Sequence, residues 1–95
     1  METQYYTVVK MKVLDAVIES GRFLMGDDLE FATDLYGRLS GDLIPGSQFM
    51  LRMELTAASE NMQETLESKG CSLEELTENC RLITREMFKF LNLEK

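Results

Sequence analysis

The chain of 95 residues has no histidine, no tryptophan, one proline and two cysteines. Without histidine there is no Ser-His or Cys-His nucleophile pair, no imidazole metal ligand and no side chain that ordinarily titrates near pH 7. Two cysteines cannot form a four-ligand zinc site unaided. No run approaches the roughly 18 apolar residues that span a membrane, so no membrane partner is expected. The N-terminus, Met-Glu-Thr-Gln-Tyr-Tyr, lacks a basic start, and Lys10 and Lys12 interrupt the apolar stretch behind it, unlike a secretory signal. The reading is a cytoplasmic protein, or one of the host-cell cytoplasm if phage-encoded. Cys71 and Cys80 then read as reduced, semi-buried residues.

Apolar residues make up 44% and charged residues 28%, a balance that supports a packed core and one domain over residues 1–95. The net charge of −7 is unevenly spread. Residues 1–12 carry +1, residues 13–80 carry −10 and residues 81–95 carry +2. Such a molecule repels nucleic acid and anionic lipid as a whole. Its acidic middle suits a basic protein surface.

Glycine and proline at Gly21, Gly26, Gly41, Pro45-Gly46 and Gly70 divide the chain, and the pieces read as helices. Ser72 and Glu75 have the spacing of a capping box. Leu73, Leu76, Cys80, Ile83, Met87 and Phe90 follow at alternating three- and four-residue intervals, a helical seam. Upstream, Leu51, Leu55, Ala58, Met62 and Leu66 form an inward stripe, with Gly70 as a C-terminal stop. A short connection at Gly70 predicts an antiparallel helical hairpin over 47–93. Asp27 or Asp28 can cap a helix over 28–40 whose Leu29, Ala32, Leu35, Tyr36 and Leu39 face inward.

The N-terminal piece is two-sided. Val9, Val13, Ala16 and Val17 suit a helix, while the alternation of Tyr5, Thr7, Val9, Met11 and Val13 suits a half-buried strand. A lone strand would lack a partner, which favours the helix. The expected fold is therefore all-α: a small four-helix bundle with an N-terminal helix pair (1–41), a long hairpin and an N-terminal strand as the variant. No internal repeat is evident.

No catalytic pattern emerges. Asp27-Asp28 and Glu74-Glu75 read as first-turn caps rather than metal ligands. Gly41-Asp-Leu-Ile-Pro-Gly46 lacks the Lys and Ser/Thr of a phosphate loop. The expectation is a non-enzyme with no cofactor and no metal. Phe49, Met50, Leu51 and Met53, and Met87, Phe88, Phe90, Leu91 and Leu93, are apolar beyond one helical face. In a hairpin turning at Gly70 both sets fall at one end. Phe49, Met50, Met53, Met87, Phe88, Phe90 and Leu91 are thus either core or a protein interface, including a homodimer interface. Glu60, Glu64 and Glu67 have i, i+4, i+7 spacing and would form an exposed acidic stripe. These features favour an acidic interaction protein that binds and masks or regulates a protein partner, as an inhibitor, regulator or small chaperone.

Residues Leu66–Leu93 also carry a partial resemblance. Gly70-Cys-Ser-Leu-Glu-Glu-Leu-Thr77 is similar to the G-x-S-x-E-E-L-A opening of the Cro-like phage-repressor family, and Met87–Asn92 loosely to its ending. The resemblance implies a helix-turn-helix whose recognition helix presents Thr84, Arg85 and Phe88, with Arg81, Arg85 and Lys89 on phosphates. A DNA-binding regulator is the alternative it implies. Arg81 stands where the family has a turn glycine, and Ile83 where it has Ser or Thr.

Overall fold

The computed structural model describes residues 3–42 and 50–90. It overturns the all-α expectation and the helical bundle with it. The chain runs β1 (Gln4–Val13), β2 (Ala16–Gly26), α1 (Leu29–Gly37), β3 (Leu51–Ala58), β4 (Gln63–Cys71) and α2 (Leu73–Phe90). The strands form one antiparallel sheet in the order β2-β1-β3-β4. The N-terminal strand does have partners, because residues 16–26, 51–58 and 63–71, which read as helical, are themselves strands, while the helices expected over 28–40 and after Ser72 are present. The reading of 47–69 as a helix fails for a local reason. Leu51, Met53, Leu55 and Ala57 alternate with Arg52, Glu54 and Thr56, a period of two written in residues with good helix propensity.

Both helices lie on one face of the sheet. Tyr36 Oη donates to the Met53 carbonyl at 2.8 Å, and Asn79 Nδ2 lies 3.4 Å from the Met53 sulfur. The core between the layers comprises Val9, Met25, Ala32, Leu35, Tyr36, Leu39, Met53, Leu55, Cys71 and Ile83. Each large apolar side chain buried there contributes about 1.5–3 kcal/mol by leaving water. The molecule is thin, 19 Å along its shortest axis, as two layers require.

Among the described residues the opposite face has no helical cover. Its centre is nonetheless closed, with Val8, Glu54 and Thr56 buried. Lys10 Nζ sits 2.9 Å from the Glu54 carboxylate, Arg52 reaches it at 3.9 Å, and Arg22 stacks over the Tyr6 ring at 4.9 Å. The apolar stems of these long side chains roof the strands while their charges pair in water.

The sheet order is palindromic, and the chain is two ββα units. An approximate two-fold axis normal to the sheet passes through the Val9–Met53 pair. The facing residues Val9 and Met53 and the helix caps Asp28 and Ser72 are each 44 positions apart, and at that spacing Leu29, Glu30 and Thr33 fall on the identical residues Leu73, Glu74 and Thr77. The hairpins differ in register: Val9 faces Gly21 on β2, whereas Met53 faces Lys69 on β4, 48 positions later. The likeness is therefore one of element order and helix start, not of residue-for-residue register.

Both helix starts match their sequence signals. Asp28 accepts from the Phe31 N–H at 3.1 Å. Ser72 and Glu75 form the reciprocal box, with Ser72 N–H donating to Glu75 at 2.9 Å and Glu75 N–H to Ser72 Oγ at 3.1 Å. Gly70 is not a helix stop but a strand residue, bridged to Asp42 by two main-chain bonds of 2.9 Å. Neither described helix is long and apolar enough to cross a membrane.

Candidate interaction surface

The β1–β2 hairpin closes on the Val13–Ala16 pair, leaving Leu14 and Asp15 as a two-residue turn. Leu14 has φ +56°. Turns of this length favour Asn, Asp or Gly in the left-handed region, where a branched apolar side chain costs about 1–2 kcal/mol. The strained side chain buries nothing, being 90% exposed.

Leu14 does not stand alone. A main-chain bond from Lys12 N–H to the Met50 carbonyl, 2.8 Å, brings the approach to β3 beside the hairpin. Leu73, the first residue of α2, reaches the same end of the sheet. Val13, Leu14, Met50 and Leu73 are all exposed there. With Met11, Lys12 and Leu51 they line a shallow cleft of about 430 Å³ whose walls are almost wholly apolar. An apolar cleft with a strained leucine at its rim is suited to accepting apolar side chains from another molecule.

The interface residues named from sequence are dispersed. Met53 is fully buried in the core, and Met87 packs partly against it. Met50 is exposed and lines the cleft. Phe88 and Phe90 are about half exposed near the end of α2, with Phe90 stacked on Phe31 at a ring distance of 3.8 Å. Leu73, at the cleft, lies fifteen residues and about 22 Å of helix from Phe88. The two apolar sets therefore do not share one end. Phe49 and Leu91 lie outside the described residues.

The acidic stripe is also rearranged. Glu60 lies in the β3–β4 turn, while Glu64 and Glu67 belong to β4. Leu66 has no partner on β3, and this bulge brings Glu64, opposite Ala57, and Glu67, opposite Leu55, to the same face. Both are exposed. The charged face of the helices adds Asp28, Glu30, Asp34, Glu74 and Glu78, all exposed.

Of residues 66–93, which resemble the Cro-like motif, those described divide between β4 and α2, and α2 runs without interruption from Leu73 to Phe90. Arg81 lies 3.6 Å from Glu78, while Arg85 and Lys89 lie 3.7 and 3.6 Å from Glu86. Thr84 donates its hydroxyl to the Cys80 carbonyl at 2.9 Å. The basic stripe is thus exposed but interleaved with its own carboxylates.

The buried polar groups serve the fold. Lys69 Nζ donates to the carbonyls of Tyr36 (3.0 Å) and Leu39 (2.8 Å) and lies over the Tyr36 ring. It thereby satisfies acceptors at the C-terminal end of α1. Burial pushes the Lys69 pKa down and those of Cys71 and Cys80 up. Both cysteines are free, and thiols so shifted are poor nucleophiles near neutral pH. Among the described residues no group of three or more acidic or cysteine side chains is placed to hold a metal ion.

No family model, curated protein or solved structure matches the chain.

Proposed function

We propose that this chain is a non-enzymatic, cytoplasmic interaction protein that binds a protein partner through the apolar end of its sheet and regulates or masks it. The observation that carries this reading is Leu14, held at φ +56° and 90% exposed at the rim of the cleft. A strained turn that presents an apolar side chain to water does not help the isolated fold, whereas a partner that buries Leu14 recovers its transfer free energy. The exposed carboxylates of the helix layer and β4 would steer a partner with a basic surface, raising the association rate more than the affinity.

The test is affinity capture from lysate with the native chain, Leu14→Asp and Met50→Asp, after circular dichroism has confirmed all three folds. The captured protein is then purified and titrated against each chain. The reading expects a basic protein held by the native chain, lost from both variants and released by salt. Equal capture by all three overturns it. Salt-sensitive binding to duplex DNA that falls on Arg85→Ala and Lys89→Ala would instead support the DNA-binding alternative.

A further inference from the structure

The two edges of the sheet are unlike. β4 is guarded by exposed Glu64 and Glu67, by the bulge at Leu66, and at its far end by the bridge from Asp42 to Gly70. Charges, bulges and covering segments are the usual means of preventing strand addition. β2 is eleven residues long and has neither proline nor lysine. Its two charged side chains neutralise each other, Arg22 donating to both Glu19 oxygens at 2.7 and 2.8 Å. Its large apolar residues Val17, Ile18 and Leu24 are 47%, 46% and 52% exposed. Val17 and Leu24 sit opposite Lys12 and Tyr6 on the open face, and Ile18 sits opposite Met11 on the helix face. An edge strand that is apolar on both faces has the pattern of an interior strand.

We propose that β2 pairs antiparallel with β2 of a second copy of this chain, joining two sheets into one of eight strands. The bulge sets the register. A two-fold axis normal to the sheet must oppose residues that share a face. In a regular strand such residues are an even number of positions apart. Ser20 is skipped in the pairing with β1, its hydroxyl donating to the Val9 carbonyl at 3.3 Å, so the faces shift by one across it, and Glu19 and Arg22, three positions apart, both lie on the open face. Pairs spanning the bulge are therefore an odd number of positions apart.

The register that opposes Glu19 to the partner's Arg22 also opposes Val17 to Leu24 and Ile18 to Phe23. Each pair shares a face. Sliding by two residues in either direction opposes Glu19 to Ser20 or Leu24 and leaves the charge without a counter-charge. The edge is thus self-complementary in charge, in apolar contact and in face. This interface is separate from the cleft and does not rest on the proposed partner.

Light scattering on the full chain tests the proposal. The native chain is expected near twice its 10.9 kDa mass. Arg22→Glu sets like charges together twice and weakens the dimer by about 100-fold or more. The double exchange Glu19→Arg with Arg22→Glu restores it. Because Arg22→Glu also removes the contact with Tyr6, Val17→Lys serves as a second variant. It leaves the Glu19–Arg22 and Arg22–Tyr6 contacts intact and is expected to be monomeric. Met50→Asp, away from β2, leaves the dimer mass unchanged, which separates this proposal from the partner reading. A native monomer at about 100 µM overturns the proposal, as does a dimer that survives both Arg22→Glu and Val17→Lys, or a double exchange that stays monomeric.

Discussion

Asn79 grips Ser40 at both main-chain groups: its Oδ1 accepts from the Ser40 N–H and its Nδ2 donates to the Ser40 carbonyl, each at 2.8 Å. The pair is thirty-nine residues apart in sequence. A buried side-chain amide here acts as a strand neighbour would, tying α2 to the segment that leaves α1. Asn79→Ala removes both bonds at once and leaves the backbone of Ser40 partly unsatisfied. The expected loss is about 2–3 kcal/mol, read from the urea midpoint. Asn79→Asp keeps the acceptor but sets a buried carboxylate against the Ser40 carbonyl, and is expected to cost at least as much as Asn79→Ala.

The next residue in that segment is as tightly constrained. Gly41 has φ +152°, and a Cβ there would lie 2.9 Å from the Gly70 carbonyl oxygen and 3.3 Å from the Cys71 sulfur. The nearest atom is backbone and cannot move without breaking the Asp42–Gly70 bridge. Gly41→Ala is expected to destabilise by more than about 1 kcal/mol. Hydrogen exchange at the Asp42 and Gly70 amides should rise with it. Unchanged protection at both amides would count against this account of the glycine.

How much of this could be read from the residues depended on range. Caps are local, so Asp28 and the Ser72–Glu75 box announced both helices correctly, and Ile83 in the predicted seam is fully buried. Strands depend on distant partners. The β1–β2 turn carries Leu14-Asp15 rather than Asn-Gly, so the hairpin had no turn signal. Glu64 and Glu67 share a face at a helix-like three-residue spacing only because a bulge adds a residue to β4, and Glu60 lies in the turn before it. Once β2, β3 and β4 were read as helices, β1 had nothing to pair with, and that single inference removed the whole sheet. The cleft was missed for the same reason: Leu14 and Leu73 are fifty-nine positions apart and meet only at the sheet's end.

Leu14 allows stability and binding to be separated. Leu14→Asn or Leu14→Gly places at φ +56° a residue that accepts it. Either is expected to raise stability by about 0.5–1 kcal/mol and to weaken binding of the partner captured by the native chain. The two effects have opposite signs, so a thermal melt and a binding titration on one sample decide the matter. A variant that is both more stable and equally competent would show that the exposed leucine does not serve the interaction.

Alkaline pH tests the buried titratable groups. Burial raises the pKa of Cys71 and Cys80, and raises that of Tyr36 further. These three keep their protons longer in the folded chain than in the unfolded one. As pH climbs above about 8.5, where ordinary thiols ionise, the unfolded chain binds fewer protons and stability falls. Lys69 opposes this trend. Its lowered pKa makes the folded chain release its proton first, so that group favours folding as pH approaches about 10.4. Three groups against one predict a net fall, with urea midpoints level between about pH 6 and pH 8 and declining above about pH 9. Cys80→Ala removes one contributor without touching the Asn79–Ser40 bonds and should make the alkaline decline shallower. An unchanged decline would remove Cys80 from the account and leave the effect to Cys71 and Tyr36.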